Sequence, residues 1–186
     1  MKAKSVISTL MLCALAMSAS GCDGADLGTD NLIRPPKTVG DEAEIEQLIA
    51  DTAGSGYTLK YPKSGNYRSA IVMKDLDFDG TDEAIAFYRT ASENKAEVHM
   101  LVMYCANGGW KLSENCTIDA TDVDCVDFAD VTGNGTLEIL SGYTTYNSSV
   151  NNLACHSYSG GKTTRLTVES SYSSFYCADF DGNGIN

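Results

Sequence analysis

The chain has 186 residues, 43% of them hydrophobic and 20% charged, which suits one modest domain with an ordinary core. Its formal net charge of -12 becomes more negative once Lys2 and Lys4 are set aside, and no Lys/Arg stripe interrupts the acidity, so nucleic acid is a poor partner. Past the N-terminal segment no apolar run is long enough to cross a bilayer.

The N-terminus reads as an export signal over 1–21. Lys2 and Lys4 are followed by an apolar stretch from Val6 to Met17, then by Ser18, Ala19, Ser20, Gly21 and Cys22. Small residues ending in a cysteine resemble the lipobox of bacterial lipoproteins, and the resemblance implies that Cys22 is lipidated and holds the chain on the membrane, facing outward. Residues 22–40, rich in Gly, Asp, Thr and Pro, read as a flexible tether. A helix is expected over 41–56, capped by Asp41 with Glu44 reaching back, with Ile45, Leu48, Ile49 and Ala53 on its apolar face and Gly54 and Gly56 ending it.

From Tyr57 the pattern becomes short β-branched and aromatic runs divided by turns. Strands are expected near 57–61, 68–74, 83–89, 97–104 and 109–113, then near 123–129, 137–143, 152–158 and 164–169, with another set starting near 173–178. The sets superpose. Asp75 matches Asp130 at an offset of 55, Gly108-Gly109 matches Gly160-Gly161 at 52, and Asp179 follows Asp130 by 49. A period near 50 residues with about four strands in each predicts blades of a β-propeller, so the fold expected is mainly β, a partial propeller over 57–186 with one N-terminal helix.

The repeated segment is a loop with chemistry in it. The first copy carries Asp75, Asp77 and Asp79 at positions 1, 3 and 5, Gly80 at 6, Thr81 at 7 and Glu83 at 9. Alternate acids converge when such a loop curls, Gly80 permits the turn that brings the Thr81 carbonyl round, and hard oxygen donors select Ca²⁺ over thiophilic metals. The second copy keeps Asp130, Asn134, Gly135, Thr136 and Glu138 but has Thr132 at position 3, so weaker binding is expected there. The third, Asp179, Asp181 and Asn183, reaches Asn186 one residue short of position 9 and reads as a truncated repeat. An EF-hand is excluded because its twelfth position holds Ala86 inside a strand-like run. Asx-type turns that need no metal remain the other reading of these loops.

The acidic loop with its position-9 Glu ahead of a strand, once per blade, resembles the FG-GAP/VCBS repeats also found in the heads of integrin α-chains. The resemblance implies calcium-stabilised blades and a role in surface binding or adhesion. It carries over to Asp75, Asp77, Asp79, Thr81 and Glu83, and to Asp130, Asn134 and Glu138, with Thr132 standing where the family has an acid.

Catalytic signals are sparse. Of the two histidines, His99 reads as a strand residue on a packing face, and His156 adjoins Cys155 but should point to the opposite side of its strand. The cysteines after Cys22 are Cys105, Cys116, Cys125, Cys155 and Cys177, an odd set with no Cys-x-x-Cys spacing. Trp110, Tyr143, Tyr146, Tyr158 and Tyr172 could stack on sugars or contact a protein, though packing is the commoner use of such residues. The function expected is a non-catalytic, lipid-anchored, calcium-stabilised surface protein for binding, adhesion or envelope assembly. The alternative is a polysaccharide-acting hydrolase or lyase on the same scaffold.

Overall fold

The computed structural model describes residues 40–90, 97–146 and 148–177, the side chains of 167–169 excepted. One helix and nine strands are formed there: α1 (Asp41–Ala53), β1 (Tyr57–Lys60), β2 (Ile71–Lys74), β3 (Glu83–Thr90), β4 (Glu97–Ala106), β5 (Gly109–Asp119), β6 (Asp122–Ala129), β7 (Glu138–Thr144), β8 (Asn151–Ser159) and β9 (Lys162–Tyr172).

The expected helix is present but shorter, and its cap differs. Gly40 is the N-cap and Asp41 lies in the first turn, where it joins Glu42 and Glu44 beside the positive end of the helix dipole. No side chain caps the helix; the Gly40 carbonyl accepts from the N–H groups of Ala43 and Glu44. At the other end Gly54, with a φ of 74°, turns the chain away after donating to the Ala50 carbonyl.

The strands form two antiparallel sheets. In the first, β3, β4 and β5 are a meander, and β1 and β2 share one edge of β3: Phe87 to Thr90 pair with β1, Glu83 to Ala86 with β2. This sheet thus has four strand positions, the first divided in two. The second sheet is the plain meander β6-β7-β8-β9. The tight hairpin turns match at Asn107-Gly108 and Gly160-Gly161, all four residues having positive φ, so the true equivalence lies one residue from the expected Gly108-Gly109. Two expectations were too short or misplaced. β5 runs to Asp119, beyond the expected 113, and residues 173–177 are not a strand.

Side-chain alternation sorts the core into three layers. Ala84, Ala86, Tyr88, Leu101 and Met103 face α1 and meet Ile45 and Ile49. Ile85, Phe87, Met100 and Val102 face the other way, into a core shared with Val126, Phe128, Ile139 and Tyr143 of the second sheet. Leu140 and Cys155 lie on the far side of that sheet, against Leu166, Phe175 and Cys177.

At the offset of 55, Ile139 and Tyr143 are the counterparts of Ala84 and Tyr88. The first sheet therefore gives one face to the seam and the second sheet gives the opposite face. This is a head-to-tail contact rather than the like-on-like contact of a two-fold sandwich. The first strands of both sheets follow the same rule, Ile71 packing on the α1 side and Val126 and Phe128 on the first sheet, and Phe175 and Cys177 of the non-strand segment after β9 pack on the second.

Polar groups cross the seam too. The Leu137 N–H donates to the Leu76 carbonyl at 2.7 Å, joining the two repeated loops. Lys60 and Lys63 both reach Asp122, at 3.3 and 2.8 Å. His156, in register with Ile139, is 1% exposed, and neither ring nitrogen has a hydrogen-bond partner. Burial pushes its imidazole down to about 4, and the Arg165 guanidinium adds to the fall.

Two outcomes follow for stability. Ile49→Ala empties the α1 interface and should cost roughly 2 to 5 kcal/mol in chemical denaturation. His156 stays neutral when folded but protonates when unfolded, so the unfolded chain binds more protons as pH falls from about 6.5 to about 4, and stability drops through that window. His156→Leu should raise the melting temperature and flatten the loss; an unchanged slope would remove His156 as its source.

Candidate metal site and aromatic cleft

Each repeated loop joins the first and second strand positions of its sheet: loop 1 runs from β2 to β3 and loop 2 from β6 to β7. Their backbones are held alike. Gly80 N–H donates to Asp75 Oδ2 at 3.0 Å, as Gly135 N–H does to Asp130 Oδ2 at 2.8 Å. Leu76 N–H donates to Glu83 Oε2 at 3.0 Å, as Val131 N–H does to Glu138 Oε2 at 2.9 Å. Thr81 N–H donates to Asp79 Oδ1 at 2.7 Å, as Thr136 N–H does to Asn134 Oδ1 at 2.8 Å. Position 6 needs glycine for its conformation, with φ of 90° at Gly80 and 84° at Gly135, since a Cβ there would meet nothing. Position 4 is left-handed in both, and where loop 2 has Gly133, loop 1 has Phe78 at a φ of 58°. That conformation is unfavourable for a bulky residue.

Loop 1 gathers uncompensated acid. Carboxylate oxygens of Asp75, Asp77 and Glu83 lie within 4.8 Å of one another. Asp75 Oδ1 and Asp77 Oδ1 are shielded from solvent and accept no hydrogen bond, while Glu83 is 3% exposed. Like charges at that separation repel by about 3 kcal/mol per pair at an intermediate effective dielectric. Burial pushes the Glu83 carboxyl up to about 7; the charges of Asp77 and Asp79 add to the rise, and the Leu76 N–H and the Tyr158 hydroxyl oppose it. Tyr158 belongs to β8, so the site draws on both sheets. This cluster could hold a metal ion, and its all-oxygen, all-carboxylate character fits a hard divalent cation.

Not every expected ligand is there. Asp79 is exposed, its carboxylate turned to the Thr81 N–H in an Asx turn, and it lies outside the cluster. In loop 2 the Asp130 carboxylate accepts from the N–H groups of Gly133, Asn134 and Gly135, which hold it below the usual carboxylate range. Asp179, Asp181 and Asn183 of the third loop, and Cys22, lie outside the described residues.

Other candidates resolve plainly. His99 stacks on Tyr88 with ring centroids 4.6 Å apart and meets the Thr117 hydroxyl. Tyr143 and Tyr158 are buried, Trp110 and Tyr172 half-buried and Tyr146 exposed. Cys155 packs on the far face of its sheet while His156 lies in register with seam-facing Ile139, so the two diverge.

A cleft of about 450 Å³ that no motif in the sequence announces is lined by residues of the 64–66 segment, β6, the start of β8 at Asn151 and the 172–177 segment. Asp124 organises it: its Oδ2 accepts from the Tyr172 hydroxyl at 2.7 Å and the Asn151 amide at 2.8 Å, and its Oδ1 from the Ser64 hydroxyl at 3.3 Å. Gly142 makes room for this arrangement, since a Cβ there would come within 1.9 Å of the Tyr172 hydroxyl oxygen and 2.7 Å of Cys125 Sγ. Phe175 and Tyr176 supply further rings to the wall. Of the lining residues the sequence singles out Tyr172 as an aromatic and Cys125 and Cys177 as cysteines, and nothing local says that they share a cleft; tertiary packing brings them together. No helix among the described residues is long and apolar enough to cross a membrane. No protein-family model, curated protein or solved structure matches this chain.

Proposed function

We propose that this chain is an exported, lipid-anchored surface module in which Ca²⁺ at loop 1 stabilises propeller-like repeats, and that the module binds a protein or glycan at the cell surface. The observation that carries the reading is the shielded, unpartnered oxygen on each of Asp75 and Asp77, two residues whose carboxylates lie within 4.8 Å of each other and of the Glu83 carboxylate. Buried carboxylates left this way are costly, and a divalent cation converts their repulsion into attraction. Asp75, Asp77 and Glu83 would hold it. Its role is structural: it ties the end of β2 to the start of β3 at the seam where Tyr158 enters from the second sheet.

The propeller reading is supported by the four strand positions in each sheet, by the loop recurring at the same place in each, and by the head-to-tail packing of faces. Binding is supported by the cleft around Asp124, where tyrosine and phenylalanine rings alternate with hydroxyl, amide and carboxylate groups. Such walls suit the apolar faces and polar edges of sugars or of peptide side chains. Export and anchoring rest on the signal-like N-terminus and on Cys22 after Ser20 and Gly21.

Added Ca²⁺ at about 100 times its dissociation constant should stabilise the chain by about 2.7 kcal/mol over a chelated sample, read as a rise in melting temperature. Asp75→Asn with Asp77→Asn should abolish that rise yet leave the chelated protein more stable than its parent, because the repulsion has gone. A retained calcium response would remove loop 1 as the site. Without metal, the raised Glu83 pKa means the folded state holds a proton that the unfolded state gives up between about 4.5 and about 7, so this group's contribution to stability falls as pH rises. The calcium-induced rise should accordingly be larger at pH 7.5 than at pH 5. For the anchor, Cys22→Ser should move the chain from the membrane fraction to the soluble exported fraction of a bacterial host; persistence with membranes would refute lipidation at Cys22.

A further inference from the structure

Loops 1 and 2 share a backbone but not a charge balance. At the offset of 55, Thr132 occupies the place of Asp77. Its hydroxyl donates to Glu138 Oε1 at 3.1 Å and its N–H to Glu138 Oε2 at 3.2 Å, where Val131 N–H already donates at 2.9 Å. Asp130 Oδ1 accepts from Gly133 N–H at 2.7 Å and Asn134 N–H at 3.1 Å, and its Oδ2 from Gly135 N–H at 2.8 Å. Asn134 Oδ1 accepts from both the N–H and the hydroxyl of Thr136, at 2.8 and 2.7 Å. Every side-chain carbonyl or carboxylate oxygen in loop 2 is thus taken up by a donor of the loop itself. In loop 1 the corresponding positions leave Asp75 Oδ1 and Asp77 Oδ1 without one.

We infer that loop 2 is a self-neutralised version of loop 1, in which the Thr132 hydroxyl and the loop's own amide protons stand where a cation stands in loop 1, so that loop 2 binds no ion. The inference rests on the reading of loop 1 as a cation site. A cation entering loop 2 would meet two carboxylates rather than three and would have to break hydrogen bonds already made to each. Position 3 of the repeat is the selector. An acid there brings a third carboxylate against the closing Glu and creates a demand for divalent charge. A threonine there donates to the same Glu and ends that demand.

The reciprocal exchange tests this in the full exported chain, with Ca²⁺ bound per chain counted by equilibrium dialysis and compared with the unaltered protein. Asp77→Thr should lower the count by one, and Thr132→Asp should raise it by one. A count unmoved by Asp77→Thr overturns the loop 1 reading itself. A count lowered by Asp77→Thr but unmoved by Thr132→Asp leaves loop 1 standing and overturns the inference for loop 2. Should Thr132→Asp fail to fold, Thr132→Ala provides a second measurement. It removes the hydroxyl, so the melting temperature should fall by the same amount with Ca²⁺ and with chelator, and the ion count should stay as it was. A lowered count, or a fall that Ca²⁺ reverses, overturns the inference.

Discussion

The seam between the two sheets is the constraint on which the rest of the molecule depends. Ile85, Phe87, Met100 and Val102 have no other place to bury, and the face that covers them carries Phe128, Ile139 and Tyr143. Area burial of this kind supplies most of the driving force for folding, but it is nondirectional. Alignment comes from polar contacts at its margins. The Leu137 to Leu76 backbone bond fixes one loop against the other, the Ser113 and Thr163 hydroxyls meet at 2.8 Å between β5 and β9, and two lysines bracket Asp122. Glu83 sits within this frame, which is why its environment depends on Tyr158, a residue 75 positions away in sequence.

That placement joins the acidic loop to the fold more closely than a surface loop would be joined. Glu83 begins β3, shares a face with Ile85 and Phe87, and is buried by the same contact that buries them. Its counterpart Glu138 is just as buried but lies on the far side of the second sheet, the side of Leu140 and Cys155. The two acids occupy equivalent positions in their repeats and different layers of the molecule. One works at the seam; the other works under the segment carrying Phe175 and Cys177.

Much of this architecture was legible in the sequence, because alternating burial leaves a period-two trace and turns need particular residues. The strands from Glu83, Glu97, Asp122, Glu138 and Asn151 fall close to where alternation puts them. The hairpins at Asn107-Gly108 and Gly160-Gly161 announce themselves through residues that accept positive φ. What was not legible depended on partners far along the chain. β5 extends past Leu112 through Ser113, Glu114 and Asn115, whose polarity hides an edge strand with one wet face. The division of the first strand position between β1 and β2 is a matter of pairing with β3, which no local pattern records. Asp79 has the right spacing for a ligand, yet its short side chain is captured by Thr81 two residues on. The cleft around Asp124 draws on four separate segments, so its members carry no common motif.

Opposite-face packing also gives the molecule a direction. A contact made by like faces closes on itself and stops, whereas one made by unlike faces leaves at each end a surface of the kind it has just consumed. In this chain α1 covers one such surface, and Ile45 and Ile49 do for the first sheet what that sheet does for the second. The exposed edge of this order is closed on the other side by the 175–177 segment, where Phe175 and Cys177 pack on the second sheet with Leu140 and Cys155.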